Sequence, residues 1–213
     1  MHESGNKNRG SVARHDSFGP EASSVLRRTF FRDTFQLAMR LDVSLDDVMA
    51  HLDRAFDVNL LRTDALRLVA AERISTHLDD VVVATACTQG SITAWADLED
   101  SMIPMLTRMC ELRVNEIDAL LHASRYLAAV RDHTRGDEIE AFAGTPRMQE
   151  YSGLHPLRTF LGGPLFSVLQ DLIRDGFVVA SRYAPSNERT SRKLMCSARV
   201  SGQTGSRQAA RHC

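Results

Sequence analysis

The chain has 213 residues, of which 43% are hydrophobic and 6% aromatic, and its formal net charge is −1. That is enough apolar material for one ordinary core with tails, or for two small ones, and the scarcity of aromatics excludes a typical β-sandwich in favour of an all-α helical bundle. The charge is unevenly spread: residues 177–213 hold seven basic residues against one acidic, the first 24 residues balance, and the middle therefore carries −7. No apolar run reaches the length of a membrane span, and the N-terminus lacks the hydrophobic stretch of a secretory signal, so the expected location is cytoplasmic, with no membrane partner. The cysteines Cys87, Cys110, Cys196 and Cys213 form no CxxC pair and no His/Cys cluster with zinc-ligand spacing, so neither a metal nor a cofactor is expected. Cys87 and Cys110 read as buried, reduced thiols.

In chain order, residues 1–24 are rich in Gly, Ser and charge and predict a disordered tail. A helix follows, with Leu26, Phe30, Phe31, Phe35, Leu37, Ala38 and Leu41 as its apolar positions. Ser44 reads as the N-cap of a second helix with Leu45, Val48, Met49, Leu52 and Phe56 on its apolar face and Asp46 and Asp47 in its first turn. "NLLRTDALRLVAAERI" continues with helical spacing. "THLDDVVVATACTQG" predicts a helix stopped by Gly90. Ser91 caps the next helix, which carries Trp95, Leu98, Met102, Ile103 and Leu106, and Pro104 predicts a kink near Ser101. Asn115 caps another, with Ile117, Leu120, Leu121, Tyr126, Leu127 and Val130 in its stripe. After a charged loop, apolar spacing runs from Leu157 through Phe160, Leu161, Leu165, Val168, Leu169 and Leu172 to Ile173. Gly162, Gly163 and Pro164 fall inside that stripe and predict a kink or two short helices in line, packed against the Trp95 helix. "FVVASRY" fits a short strand or a fading helix, and the basic remainder predicts a disordered tail.

Enzyme signatures are missing: there is no Gly-rich phosphate loop, GxSxG, HExxH or calcium-loop spacing. Asp79–Asp80, Glu99–Asp100 and Asp137–Glu138 are adjacent carboxylates. Neighbours on a helix point in different directions, so these read as solvated surface rather than as a shared catalytic site. His122, four residues before Tyr126 and able to share its face, reads as a packed or partly exposed histidine rather than a catalytic one.

The order of elements from Leu78 to Arg174 resembles region two of RNA polymerase sigma factors, in a divergent branch of the extracytoplasmic-function group. The resemblance rests on Asp80, Ala86, Gly90, Ala94, Trp95, Glu99, Pro104 and Leu106, then on Asp118, Leu121, Arg125 and Leu127. It continues through Arg147, Glu150, Tyr151, Gly153, Leu157, Arg158 and Leu161. "VSLDDVMAHLDRAF" resembles the helical segment that precedes this domain in the same branch. His122 stands where the family carries Gln, and Phe160 where it carries Trp. Gly162 and Ser167 stand where further Arg residues are usual. On this resemblance the chain divides into a disordered tail (1–24), a helical N-terminal segment (25–75), a region-two-like helical domain (76–176) and a basic tail (177–213). No C-terminal helix-turn-helix pattern follows Gly176.

The resemblance implies a non-enzymatic transcription initiation protein. Asp118, His122 and Arg125 would face the RNA polymerase core. Tyr151, Arg158, Phe160 and Arg174 would face promoter DNA, with aromatic pockets holding unstacked bases and cations following phosphates. An anti-sigma protein is a further partner of such a domain. Two alternatives stay open: a degenerate or truncated sigma relative that acts as a regulator or is inactive, and an unrelated helical protein-interaction domain.

Overall fold

The computed structural model describes residues 18–56, 62–136 and 144–174. Among these residues the fold is all-α. The disordered tails expected over 1–24 and 177–213, and the segment "FVVASRY", lie outside the described residues except for residues 18–24. There the expectation is corrected: α1 (Pro20–Thr29) begins inside the expected tail, six residues before Leu26, the first position of the predicted stripe. Pro20 is pre-shaped for the first helical position, and Gly19 supplies the positive φ of 75° that precedes it.

From α1 the chain passes through a single π turn (Phe30–Thr34) into α2 (Phe35–Leu41) without leaving the helix. Sequence explains the turn. Leu26, Phe30, Thr34 and Ala38 are all buried and recur at every fourth residue. At about 3.6 residues per turn an α-helix would rotate that series off the core. The wider i→i+5 turn takes up the difference. One consequence overturns the predicted stripe: Phe31 and Phe35, placed there on the apolar face, are turned to solvent together with Met39.

The helix α3 (Leu45–Ala55) starts at a capping box in which the Ser44 hydroxyl accepts from the Asp47 N–H and the Asp47 carboxylate accepts from the Ser44 N–H. Thr63 caps α4 (Asp64–Ser75), which packs along α1. At the centre lies α5 (Leu78–Thr88). Leu78, Val81, Val82, Ala84, Thr85, Ala86 and Cys87 are all buried, so most of its circumference is covered, by α2, α3, α6 and α7, with Asp79 left exposed. Gly90, at φ 84°, ends it as predicted.

The long helices α6 (Ile92–Glu111) and α7 (Glu116–Arg135) form an antiparallel hairpin. Arg131 near the end of α7 reaches Glu99 near the start of α6 at 3.0 Å. Ser91 and Asn115 cap them as the sequence predicts. Pro104, where a kink is predicted near Ser101, lies inside α6, which runs as one helix through it. A 3₁₀ turn (Met148–Glu150) leads to α8 (Leu157–Arg174), which packs against α6, the helix that holds Trp95. α8 is likewise continuous through Gly162, Gly163 and Pro164, not two helices in line. The Tyr126 hydroxyl donates to the Leu161 carbonyl at 2.7 Å, bracing the helix from α7 just before Pro164.

The glycines there differ in purpose. A Cβ on Gly162 would sit 3.0 Å from the Met109 methyl of α6, so Gly162 sets how closely α8 approaches. Gly163 is exposed and faces open space. Gly153 is the demanding one, at φ 74° with Val81 only 2.6 Å from a built Cβ. Gly163→Ala should therefore change stability by no more than about 1 kcal/mol, because helix propensity favours the added Cβ while the Pro164 ring that follows disfavours the helical region for a residue that carries one. Gly153→Ala should cost roughly 2 kcal/mol or more through overpacking and strain. Urea denaturation of the two variants checks this, and equal effects of the same sign would refute the assignment.

Candidate functional site

The first turns of α7 hold the polymerase-facing candidates. Asp118 is half-exposed at the third helical position, where its N–H is taken by the Asn115 cap at 3.0 Å. Arg125 is exposed. His122 is not: it keeps 9% of its surface, its Nδ1 has no hydrogen-bond partner among the described residues, and burial pushes its pKa below the usual imidazole value. Its placement on the partner-facing surface is thus corrected to a packed position, because α7 turns Ala119, Ala123 and Tyr126 inward beside it.

What α7 does present is apolar. Ile117 is 85% exposed, and Leu120, Leu121 and the preceding Leu112 are exposed as well. The sequence stripe counts Ile117, Leu120 and Leu121 with the core. The structure buries the opposite side of the helix, where small Ala119 and Ala123 let α7 lie close to its neighbours. Charges of both signs are exposed along the same stretch: Arg108 and Glu111 before Leu112, Glu116 beside Ile117, and Arg125 one turn after Leu121. Arg113 is drawn instead over the Phe166 ring of α8, 5.8 Å from its centroid.

The DNA-facing candidates divide. Arg158 is exposed in the first turn of α8, and Phe160 is half-buried. Arg174 is exposed but paired with Asp171 at 3.1 Å. Tyr151 is buried to 2% exposure, with its ring edge-on to Phe160 at 5.3 Å and its hydroxyl donating to the His155 carbonyl at 2.7 Å. Its expected role as a DNA contact is corrected to that of a post beneath Phe160, because the connection from Met148 to Leu157 is drawn into the core.

That connection is held from several sides. His51 of α3 is fully buried, and its Nε2–H donates to the Tyr151 carbonyl at 2.9 Å. Asp80 of α5 accepts from the Leu157 N–H at 2.9 Å, which satisfies a free donor at the start of α8 and places a carboxylate at the positive end of its dipole. At the other end of the connection, Thr134 of α7 accepts from the Met148 N–H, and the Gln149 side chain donates to the Thr134 carbonyl. Asp80 was expected among solvated carboxylates. A cap contributed from a distant helix leaves no spacing in the sequence to reveal it. His51 does leave a signal, since it falls on the apolar side of α3 between Val48 and Leu52.

Burial pushes the Cys87 thiol up to about 12 and the Cys110 thiol up to about 11, so both are poor nucleophiles near neutrality. Among the described residues no group of three His, Cys, Asp or Glu side chains gathers as metal ligands, and no helix is long and apolar enough to cross a membrane. No family model, curated protein or solved structure matches the chain.

The buried histidines make the fold acid-sensitive. Desolvation holds the pKa of His51 below 6.5 in the folded state, so between that depressed value and 6.5 the unfolded chain binds more protons. Stability is complete above the unfolded pKa and is lost as pH falls below it. The urea midpoint should drop between about pH 7.5 and about pH 5.5. His51→Gln, which can still donate to Tyr151 but cannot ionise, should shrink that drop, and an unchanged drop would exclude His51 as its source.

Proposed function

We propose that this chain is a sigma-related docking protein that binds the RNA polymerase core through the exposed face at the start of α7. The observation that carries the reading is the solvent exposure of Ile117, Leu120 and Leu121 on the helix where the sequence resemblance expects polymerase contact, with Leu112 exposed just before that helix. Large apolar side chains grouped on one surface are the usual mark of a protein-binding site. Asp118 and Arg125 lie along the same stretch as charges that would orient a partner rather than supply most of the affinity.

Promoter contact is the weaker half of this reading. Arg158 and the free edge of Phe160 are the groups that α8 offers, with Tyr151 committed to the core and Arg174 to Asp171. Phosphate affinity rises with the number of cations engaged, so this surface supports capture of a strand in an assembled complex rather than DNA binding by the chain alone. We assign it no reaction.

The test is retention of the purified chain on immobilised core polymerase. Native protein should be retained. Ile117→Asp and Leu121→Asp should each weaken binding at least about tenfold with the helical spectrum unchanged, as for a central apolar contact. Arg158→Ala should be retained as well as the native chain. Absence of retention of the native protein would overturn the reading.

A further inference from the structure

His51 sits where a positive charge would go unanswered. It is fully buried on α3, and its Nε2–H donates to the Tyr151 carbonyl at 2.9 Å. Its Nδ1 is buried too and has no hydrogen-bond partner among the described residues. The neutral ring tolerates this, because Nδ1 then carries only a lone pair. A proton on Nδ1 would add a charge and a second N–H with nothing to accept from it, away from water. Burial outweighs the bond to Tyr151 and holds the pKa of the ring below the usual imidazole value.

The surrounding elements do not offset that charge. α3 packs against α5 and against the 3₁₀ turn at Met148. α5 brings Asp79, which is exposed, and Asp80, which accepts from the Leu157 N–H. The connection brings Arg147, Glu150 and His155, all exposed, and the Tyr151 hydroxyl, which donates to the His155 carbonyl. α3 itself brings Asp46, Asp47, Asp53 and Arg54. Among these described residues only the charge of Arg54 is felt at His51, and it too opposes protonation.

The contacts that join the central helices lie elsewhere. The Trp95 indole N–H donates to the Cys87 carbonyl at 3.2 Å, tying α6 to α5, and Arg131 reaches Glu99, tying α7 to α6. Beyond its first turn α8 is held by the Tyr126 hydroxyl and by packing on α6. We infer that His51 is the pin of an acid-released latch between α3 and the connection from Met148 to Leu157: its protonation opens that seam while the α5–α6–α7 body stays folded. The opening frees the Tyr151 backbone and with it the ring that supports Phe160. On the proposed reading, this brings a further aromatic side chain toward the surface beside Arg158. That consequence rests on the proposed reading, whereas the latch does not.

Hydrogen exchange of the purified full chain, without polymerase, tests the proposal. It is followed peptide by peptide at about pH 7.5 and about pH 5.5, corrected for the intrinsic effect of pH, over a series of low urea concentrations. At the lower pH, opening across 45–55 and 148–157 should become more frequent, by up to about tenfold for each pH unit below 6.5. Exchange there should depend only weakly on urea, as a local opening does, whereas 78–88 should keep the steep dependence of global unfolding. His51→Gln, which can still donate to Tyr151, should abolish the acid response. His122→Gln removes the other buried histidine among the described residues and should leave the response intact, which keeps the test decisive if His51→Gln does not fold. No acid response across 45–55 and 148–157 would overturn the proposal, as would a urea dependence there as steep as that of 78–88. A response that survives His51→Gln, or is lost in His122→Gln, would overturn it as well. Because polymerase is absent, failure of the latch is told apart from failure of the docking reading.

Discussion

The arrangement depends on how the connection from Met148 to Leu157 is held inside the helical body. A connecting segment normally stays at the surface because its backbone groups need water. This one is drawn inward, and its polar groups are met by distant side chains: His51 at the Tyr151 carbonyl, Thr134 at the Met148 N–H and Asp80 at the Leu157 N–H. Gly153 passes so close to Val81 and Ile74 that no side chain fits. Where α8 starts, and which of its residues face outward, follow from these contacts. Removing one partner would strand a buried polar group, which costs about 1–3 kcal/mol and would loosen α8 as well.

Much of this body was legible in the sequence. The caps at Ser44, Ser91 and Asn115 and the stop at Gly90 are local features, and each is found where the spacing puts it. The failures come from information that is not local. Periodicity marks an apolar side of a helix, but it cannot say whether neighbours cover all of that side. Phe31 and Phe35 count as core by their place in the apolar stripe, yet Phe30, Thr34 and Ala38 fill the contact. Ile117, Leu120 and Leu121 were assigned inward for the same reason, yet close packing is provided by Ala119 and Ala123. The Gly-Gly-Pro segment predicts a kinked helix or two short ones in line, and α8 is one helix, packed against α6 and held by the Tyr126 hydroxyl.

Those misassigned residues are the ones that bear on function. Side chains that look like core in sequence and lie at the surface in the fold are surplus to the stability of the monomer. Two such groups occur here, Phe31, Phe35 and Met39 on one side and Leu112, Ile117, Leu120 and Leu121 on the other. The proposed DNA side shows the reverse: Tyr151, an aromatic candidate for stacking on bases, is needed inside. That balance is what carries the proposal of protein docking at the start of α7 over one of promoter contact.

The most direct measurement of that claim is hydrogen exchange of the full chain with and without core RNA polymerase, followed peptide by peptide. The account predicts slower exchange on binding across residues 112–125 and little change across 163–174. Slowing confined to α8, with 112–125 unaffected, would contradict it.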